Sequence, residues 1–169
     1  MKKLSLLIII CLLSFQCGYH LRGTGSSLPS HIKTINIPMF KNMTTRYELD
    51  LKLTLSVIDE LVSRGKVEIT ADDSSADASL IGEIISFSVN PIAFSGEATA
   101  DRYNIVVGAK VVLRDRTNNR IIFSNPSYVY QEEYEVPEGT DFETVETQAI
   151  ERVAEKFARS LVVAVLEGF

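Results

Sequence analysis

Tyr47-Glu48-Leu49-Asp50-Leu51-Lys52-Leu53-Thr54-Leu55-Ser56-Val57-Ile58-Asp59-Glu60-Leu61-Val62-Ser63-Arg64-Gly65 reads two ways, and the choice decides the fold. Leu49, Leu51, Leu53, Leu55 and Val57 alternate with polar residues as in a half-buried strand. Leu51-Leu55-Ile58-Val62 and Leu53-Val57-Leu61, however, recur at helical spacing. The helix is preferred because the segment is long and holds no turn residue. Thr45 and Glu48 stand at capping-box spacing, and Arg64-Gly65 makes a C-terminal stop. The two stripes together predict a broad apolar face lying on a sheet.

Working outward, Ile35, Ile37 and Met39 alternate with polar residues over 33–39, a first strand that Pro38 brings to its end. Val67–Thr70 is a short strand and Ala71–Ser79, rich in Asp and Ser, a loop. Three longer strands follow. The first has Ile81, Ile85, Phe87 and Val89 on one face and closes at Pro91; the second alternates through Tyr103, Ile105, Val107, Ala109, Val111 and Leu113. After the turn Asp115–Asn119, the third runs from Arg120 to Val136 with a bulge at Asn125-Pro126. Its second half places Tyr128, Tyr130, Glu132, Tyr134 and Val136 on one face. A final helix opens at Thr140-Asp141, with Glu143 completing a second capping box, and turns Val145, Ala149, Val153, Phe157 and Leu161 inward. The order β-α-β-β-β-β-α predicts an α+β fold. It is a two-layer sandwich, with two helices packed on one face of a mixed, mostly antiparallel sheet of four to five strands. The first helix crosses over between parallel strands.

The N-terminus is of another kind. Met1-Lys2-Lys3 is followed by an apolar run from Leu4 to Phe15, too short to cross a bilayer as a helix but suited to an export signal. No alanine precedes Ala71, so cleavage after small residues has no site, whereas Leu13-Ser14-Phe15-Gln16-Cys17 resembles a lipobox. The expected division is a lipoprotein signal peptide over 1–16, an acylated Cys17 and flexible tether over 17–30, and a single domain over 31–169. The competing reading is an unprocessed anchor. Of 17 Lys and Arg, removal of 1–16 takes two and leaves 15 against 22 acidic residues, a net charge of −7. That balance excludes a nucleic-acid binder working through a general basic surface. Acylation would leave the mature chain without a free thiol, so its stability must come from packing.

His20 and His31 are the two histidines, and neither has a cysteine or acidic cluster at metal-ligand spacing. No nucleophile elbow, zinc-protease motif or phosphate-cradling loop is present, so neither a metal, a cofactor nor an enzymatic activity is expected. Charge is nevertheless segregated. Residues 102–120 hold Arg102, Lys110, Arg114, Arg116 and Arg120 against Asp115 alone, while residues 131–155 hold nine acids against Arg152. The first region can steer an anion; the alternative is that turn arginines keep a sheet edge soluble.

Cys17-Gly18-Tyr19-His20-Leu21-Arg22-Gly23 resembles the start of mature LptE-family proteins. The resemblance continues through Leu28-Pro29, Ile35-Asn36-Ile37-Pro38, Phe40-Lys41-Asn42, Glu48-Leu49, Glu60-Leu61, Arg64-Gly65, Ala76-Asp77-Ala78 and Leu80-Ile81-Gly82. It implies a non-enzymatic outer-membrane lipoprotein, anchored on the periplasmic side by acyl chains such as palmitate on Cys17. Such a protein partners the β-barrel LptD as plug and assembly factor and binds lipopolysaccharide on its way to the cell surface. Lipid A carries anionic phosphates, so Arg102, Arg114, Arg116 and Arg120 are the candidate lipopolysaccharide-binding residues. The other reading is an exported lipoprotein of a different kind, a periplasmic module whose tyrosine strand docks a protein.

Overall fold

A computed structural model of the chain describes residues 28–95, 99–137 and 139–167. The expected signal segment over 1–16, Cys17 and most of the tether lie outside the described residues. In chain order the elements are β1 (Thr34–Asn36), β2 (Lys41–Asn42), α1 (Leu49–Arg64), β3 (Glu68–Thr70), a 3-10 turn at Asp73–Ser75, β4 (Ala78–Ser95), β5 (Thr99–Asp115), β6 (Arg120–Glu135) and α2 (Phe142–Glu167). The sheet runs β3-β1-β4-β5-β6, with β2 pairing separately with β4. β1 is parallel to β3 and β4, as the α1 crossover predicts, and the three long strands are antiparallel.

The sheet has six strands rather than four or five. The expected first strand over 33–39 forms only as β1, ending before Pro38, and β2 beyond it adds a further short pairing to β4, with Ile35 opposite Ala78 and Lys41 opposite Glu83. Ile35 and Ile37 are buried, but Met39, just past the break, is exposed.

β5 is as its alternation predicts: Ile105, Val107, Ala109, Val111 and Leu113 are fully buried beneath the helices. In β4 the expected face is corrected. Leu80 and Ile84 point to the core, while Ile81 and Ile85 are 47% and 44% exposed. Ile84 pairs with Ala109 and Ser86 with Gly108, so Ile85 is an extra residue. The bulge exchanges the two faces, which returns Phe87 and Val89 to the helix side. β4 also continues past Pro91 to Ser95. In β6 the bulge falls where expected, since Ala109 pairs with Tyr128 and Val111 with Asn125, leaving Pro126 and Ser127 opposite Lys110.

Only one of the two α1 stripes is buried. Leu49, Leu53, Val57 and Leu61 enter the core, and Leu51, Leu55 and Val62 remain exposed, so the apolar face is narrower than predicted. The capping box at Thr45 and Glu48 does not form: Glu48 adopts a left-handed φ of 58° with no side-chain cap bond. Such a cap is worth ~1 kcal/mol, and each buried Leu or Val contributes ~1.5–3 kcal/mol, so packing outweighs the missing N-cap. Gly65, at φ 60°, closes it as expected, donating its N–H to Val62 O at 3.0 Å. At α2 the cap is Asp141 rather than the Thr140–Glu143 pair, because its carboxylate accepts from the Thr144 N–H (2.8 Å) and hydroxyl (2.7 Å). Ala149, Val153, Phe157 and Leu161 are buried as predicted. Arg46, just before α1, pairs with Glu146, and Lys52, in its first turn, with Glu151, so two ion pairs join the start of α1 to the N-terminal half of α2.

Candidate anion-binding site at the β5–β6 turn

The turn is built around a buried carboxylate. Asp115, 2% exposed at the end of β5, accepts the Asn118 backbone N–H at 3.0 Å and its Nδ2 at 2.9 Å. His31 Nε2 stands 2.9 Å from the same carboxylate, tying the start of the folded chain to the turn. The Asn118 bonds, and then His31, pull the Asp115 carboxyl down to about 2 from the ordinary 3.8. Asn119 takes a left-handed φ of 51°, which asparagine tolerates. Leu28 and Ile32 pack against the core, and the Ile32 N–H donates to Pro29 O at 3.0 Å, so the N-terminal segment joins the domain beside this turn.

Three arginines project from the frame so formed. The Arg116 guanidinium is paired with Asp73 and lies 3.4 Å from Ser79 Oγ, while its backbone N–H donates to Asp77 O at 2.8 Å. The Arg116 pairing, ahead of a bond from Ser79, holds the Asp73 carboxyl below its ordinary range. Arg114 donates through Nη1 to Asn119 Oδ1 at 3.2 Å. Arg120 has no side-chain partner among the described residues, and Asp115–Arg120 is the pair that closes the strand ladder. Beside Arg114 and Arg116, on the sheet face turned away from the helices, opens a cleft of about 750 Å³ bordered by Asn36, Asp73, Ser79 and Ile81.

Arg102 is not part of this site. It stands twelve positions back along β5, ~40 Å away at strand rise, and its guanidinium is 3.1 Å from Glu135. Sequence reasoning missed His31, Asn36 and Asp73, which the fold brings to the turn from more than 30 residues away. Asp115 followed three positions later by Asn118 is the one local signal that marks the turn's own scaffold.

The tyrosine strand is not an open docking surface. Tyr128 packs its ring edge-on against Phe157 at 5.5 Å and bonds Ser160 Oγ at 2.6 Å; Tyr134, 3% exposed, stacks on Tyr103 at 5.4 Å. Burial, with Glu146 nearby, pushes the Tyr134 hydroxyl up to about 12. Among the described residues no group of three or more His, Cys, Asp or Glu is placed to hold a metal, and no helix is long and apolar enough to cross a membrane.

Comparison with solved structures shows the same fold at low identity. A hypothetical protein of Chlamydia trachomatis is 11% identical with a TM-score of 0.54, over 82% of this chain and 97% of that one. A protein of Xanthomonas campestris is 10% identical with a TM-score of 0.52, over 80% and 85%. No curated protein matches in sequence. The model of the lipopolysaccharide-assembly family, LptE, matches residues 32–165, from the first buried isoleucine to the last turn of α2. The chain therefore belongs to the LptE family.

Proposed function

We propose that this chain is an outer-membrane lipoprotein of lipopolysaccharide assembly, anchored on the periplasmic side through acylated Cys17 after removal of residues 1–16. It works without catalysis, as plug and assembly partner of an LptD-type β-barrel, and it binds lipopolysaccharide. The family match over residues 32–165 is the observation that carries this reading. The export-type N-terminus supports the anchor.

Lipopolysaccharide phosphates are assigned to the β5–β6 turn. Arg114 and Arg120 are the contacting cations, and Arg116, already paired with Asp73, holds the turn against the loop before β4. Guanidinium groups suit this role because they bind phosphate oxygens bidentately. Arg102 belongs to the opposite end.

Two measurements test the proposal. Affinity purification of the full chain from solubilised membranes should retain a large β-barrel; retention of soluble proteins alone would overturn the partnership. Binding of purified lipopolysaccharide should weaken, and lose salt dependence, when Arg114, Arg116 and Arg120 are all changed to glutamine. Unchanged affinity and salt slope in a folded variant would mean that these arginines serve only solubility.

A further inference from the structure

Three kinds of chemistry meet in the cleft of about 750 Å³ beside the turn. Arg114 and Arg116 supply positive charge. Asn36 and Asp73 supply acceptor oxygens, since the Asn36 amide donors are spent on Thr70 O and Ala71 O and the Ser79 hydroxyl on Asp73, and Ile81, 47% exposed, supplies an apolar surface. Arg114 uses Nη1 on Asn119, which leaves most of its five N–H donors uncommitted. Asp73 and Ser79 are steadied by Arg116 and by each other, with Ser79 Oγ 3.1 Å from Asp73 Oδ1. The volume lies within the range of small-molecule sites.

This combination selects among anions. A bare phosphate would leave Ile81 and the amides unused. A nucleotide base would find no aromatic ring among the residues that border the cleft. A ligand with one anionic group, several hydroxyls and an apolar ring face uses every wall.

We infer that this cleft binds a phosphorylated sugar, with the phosphate on Arg114, hydroxyls on Asn36 and Asp73, and a ring face on Ile81. The inference deepens the lipopolysaccharide reading and rests on it for the source of the sugar alone. The same chemistry is carried by the saccharide headgroup of lipopolysaccharide and by a soluble sugar phosphate.

The experiment titrates the full chain with four probes: glucosamine 1-phosphate, glucosamine, inorganic phosphate, and the deacylated bisphosphorylated glucosamine disaccharide. Intact lipopolysaccharide is measured in parallel. The disaccharide should bind, with glucosamine and inorganic phosphate each at least ~10-fold weaker, the loss expected for one missing charge-assisted contact. Arg114→Gln should weaken disaccharide binding by ~10-fold or more. Ile81→Trp fills the cleft from a half-exposed position and keeps every arginine, so it should abolish binding; Val129→Trp, elsewhere on the exposed sheet surface, should not. Disaccharide binding unchanged in Ile81→Trp, or phosphate bound as tightly as the sugar, overturns the inference. Lipopolysaccharide bound with no saccharide bound overturns the cleft and leaves the functional reading standing. Saccharide bound with no lipopolysaccharide bound does the reverse and identifies a soluble ligand.

Discussion

The ring of Phe40 lies over the backbone of Gly82, where a Cβ would stand 2.6 Å from three ring atoms. Phe40 is 1% exposed, and its N–H donates to Thr54 Oγ1 at 3.0 Å; the Thr54 hydroxyl in turn donates to Asp50 O at 2.6 Å. One contact therefore joins the segment entering β2, the middle of α1 and the floor of β4. The glycine is needed for space, not for an unusual φ.

Gly82→Ala is accordingly expected to cost about 1–3 kcal/mol, the usual effect of forcing an extra carbon into a packed core. Phe40→Leu in the same chain should recover part of that loss, since a smaller side chain vacates the space. Urea unfolding of the two single variants and the double variant measures the coupling. Additive losses would show that the two residues do not share this contact.

Phe157 and Leu55 give contrasting expectations for the helices. Phe157 is fully buried on α2 beneath the Tyr128 ring, so Phe157→Ala should cost about 3–5 kcal/mol. Leu55 is half-exposed on α1, and Leu55→Ser should stay within about 0.5 kcal/mol. Thermal or urea unfolding distinguishes them. A large loss at Leu55 would mean that the outer stripe of α1 is covered in the isolated protein.

Much of the architecture was legible because its periodicities are unbroken. β5 alternates without interruption from Tyr103 to Leu113, and α2 repeats its inward residues for four turns. The failures have local causes. The bulge at Ile85 has no glycine or proline in its own strand, and its mark, Gly108, stands opposite it on β5, so the faces of Ile81 and Ile85 were exchanged. Pro91 reads as a stop, but β1 and β2 pair with β4 no further than Ile84. The edge beside Pro91 therefore carries no ladder that would need the N–H proline lacks. At the site, the arginines of the turn were visible in sequence. The cleft was not, because Asn36, Asp73 and Ser79 meet Arg114 only through the parallel pairing of β1 with β4 and the antiparallel pairing of β4 with β5.

Asp115 sets a pH dependence whose direction follows from its carboxyl. The folded state lowers its pKa from 3.8 to about 2 through the Asn118 and His31 contacts, so the ionised form is favoured by folding. Asp73, held down chiefly by Arg116, Asp77, held down chiefly by the backbone N–H of Lys33, and Asp141, held down chiefly by Thr144, shift in the same direction. The stability they contribute is fully present above the ordinary carboxylate value and is lost as pH falls through 3.8 toward about 2. Asp115→Asn removes one share of it and also sets an amide against the Asn118 amide. The variant should be less stable than the parent at neutral pH, and the gap should narrow steadily across that acid window. Urea midpoints measured at intervals down to the lower limit of the window provide the check. A gap that stays constant would mean that Asp115 supports the turn through its shape alone, and that its charge has no part in holding Asn118 and His31.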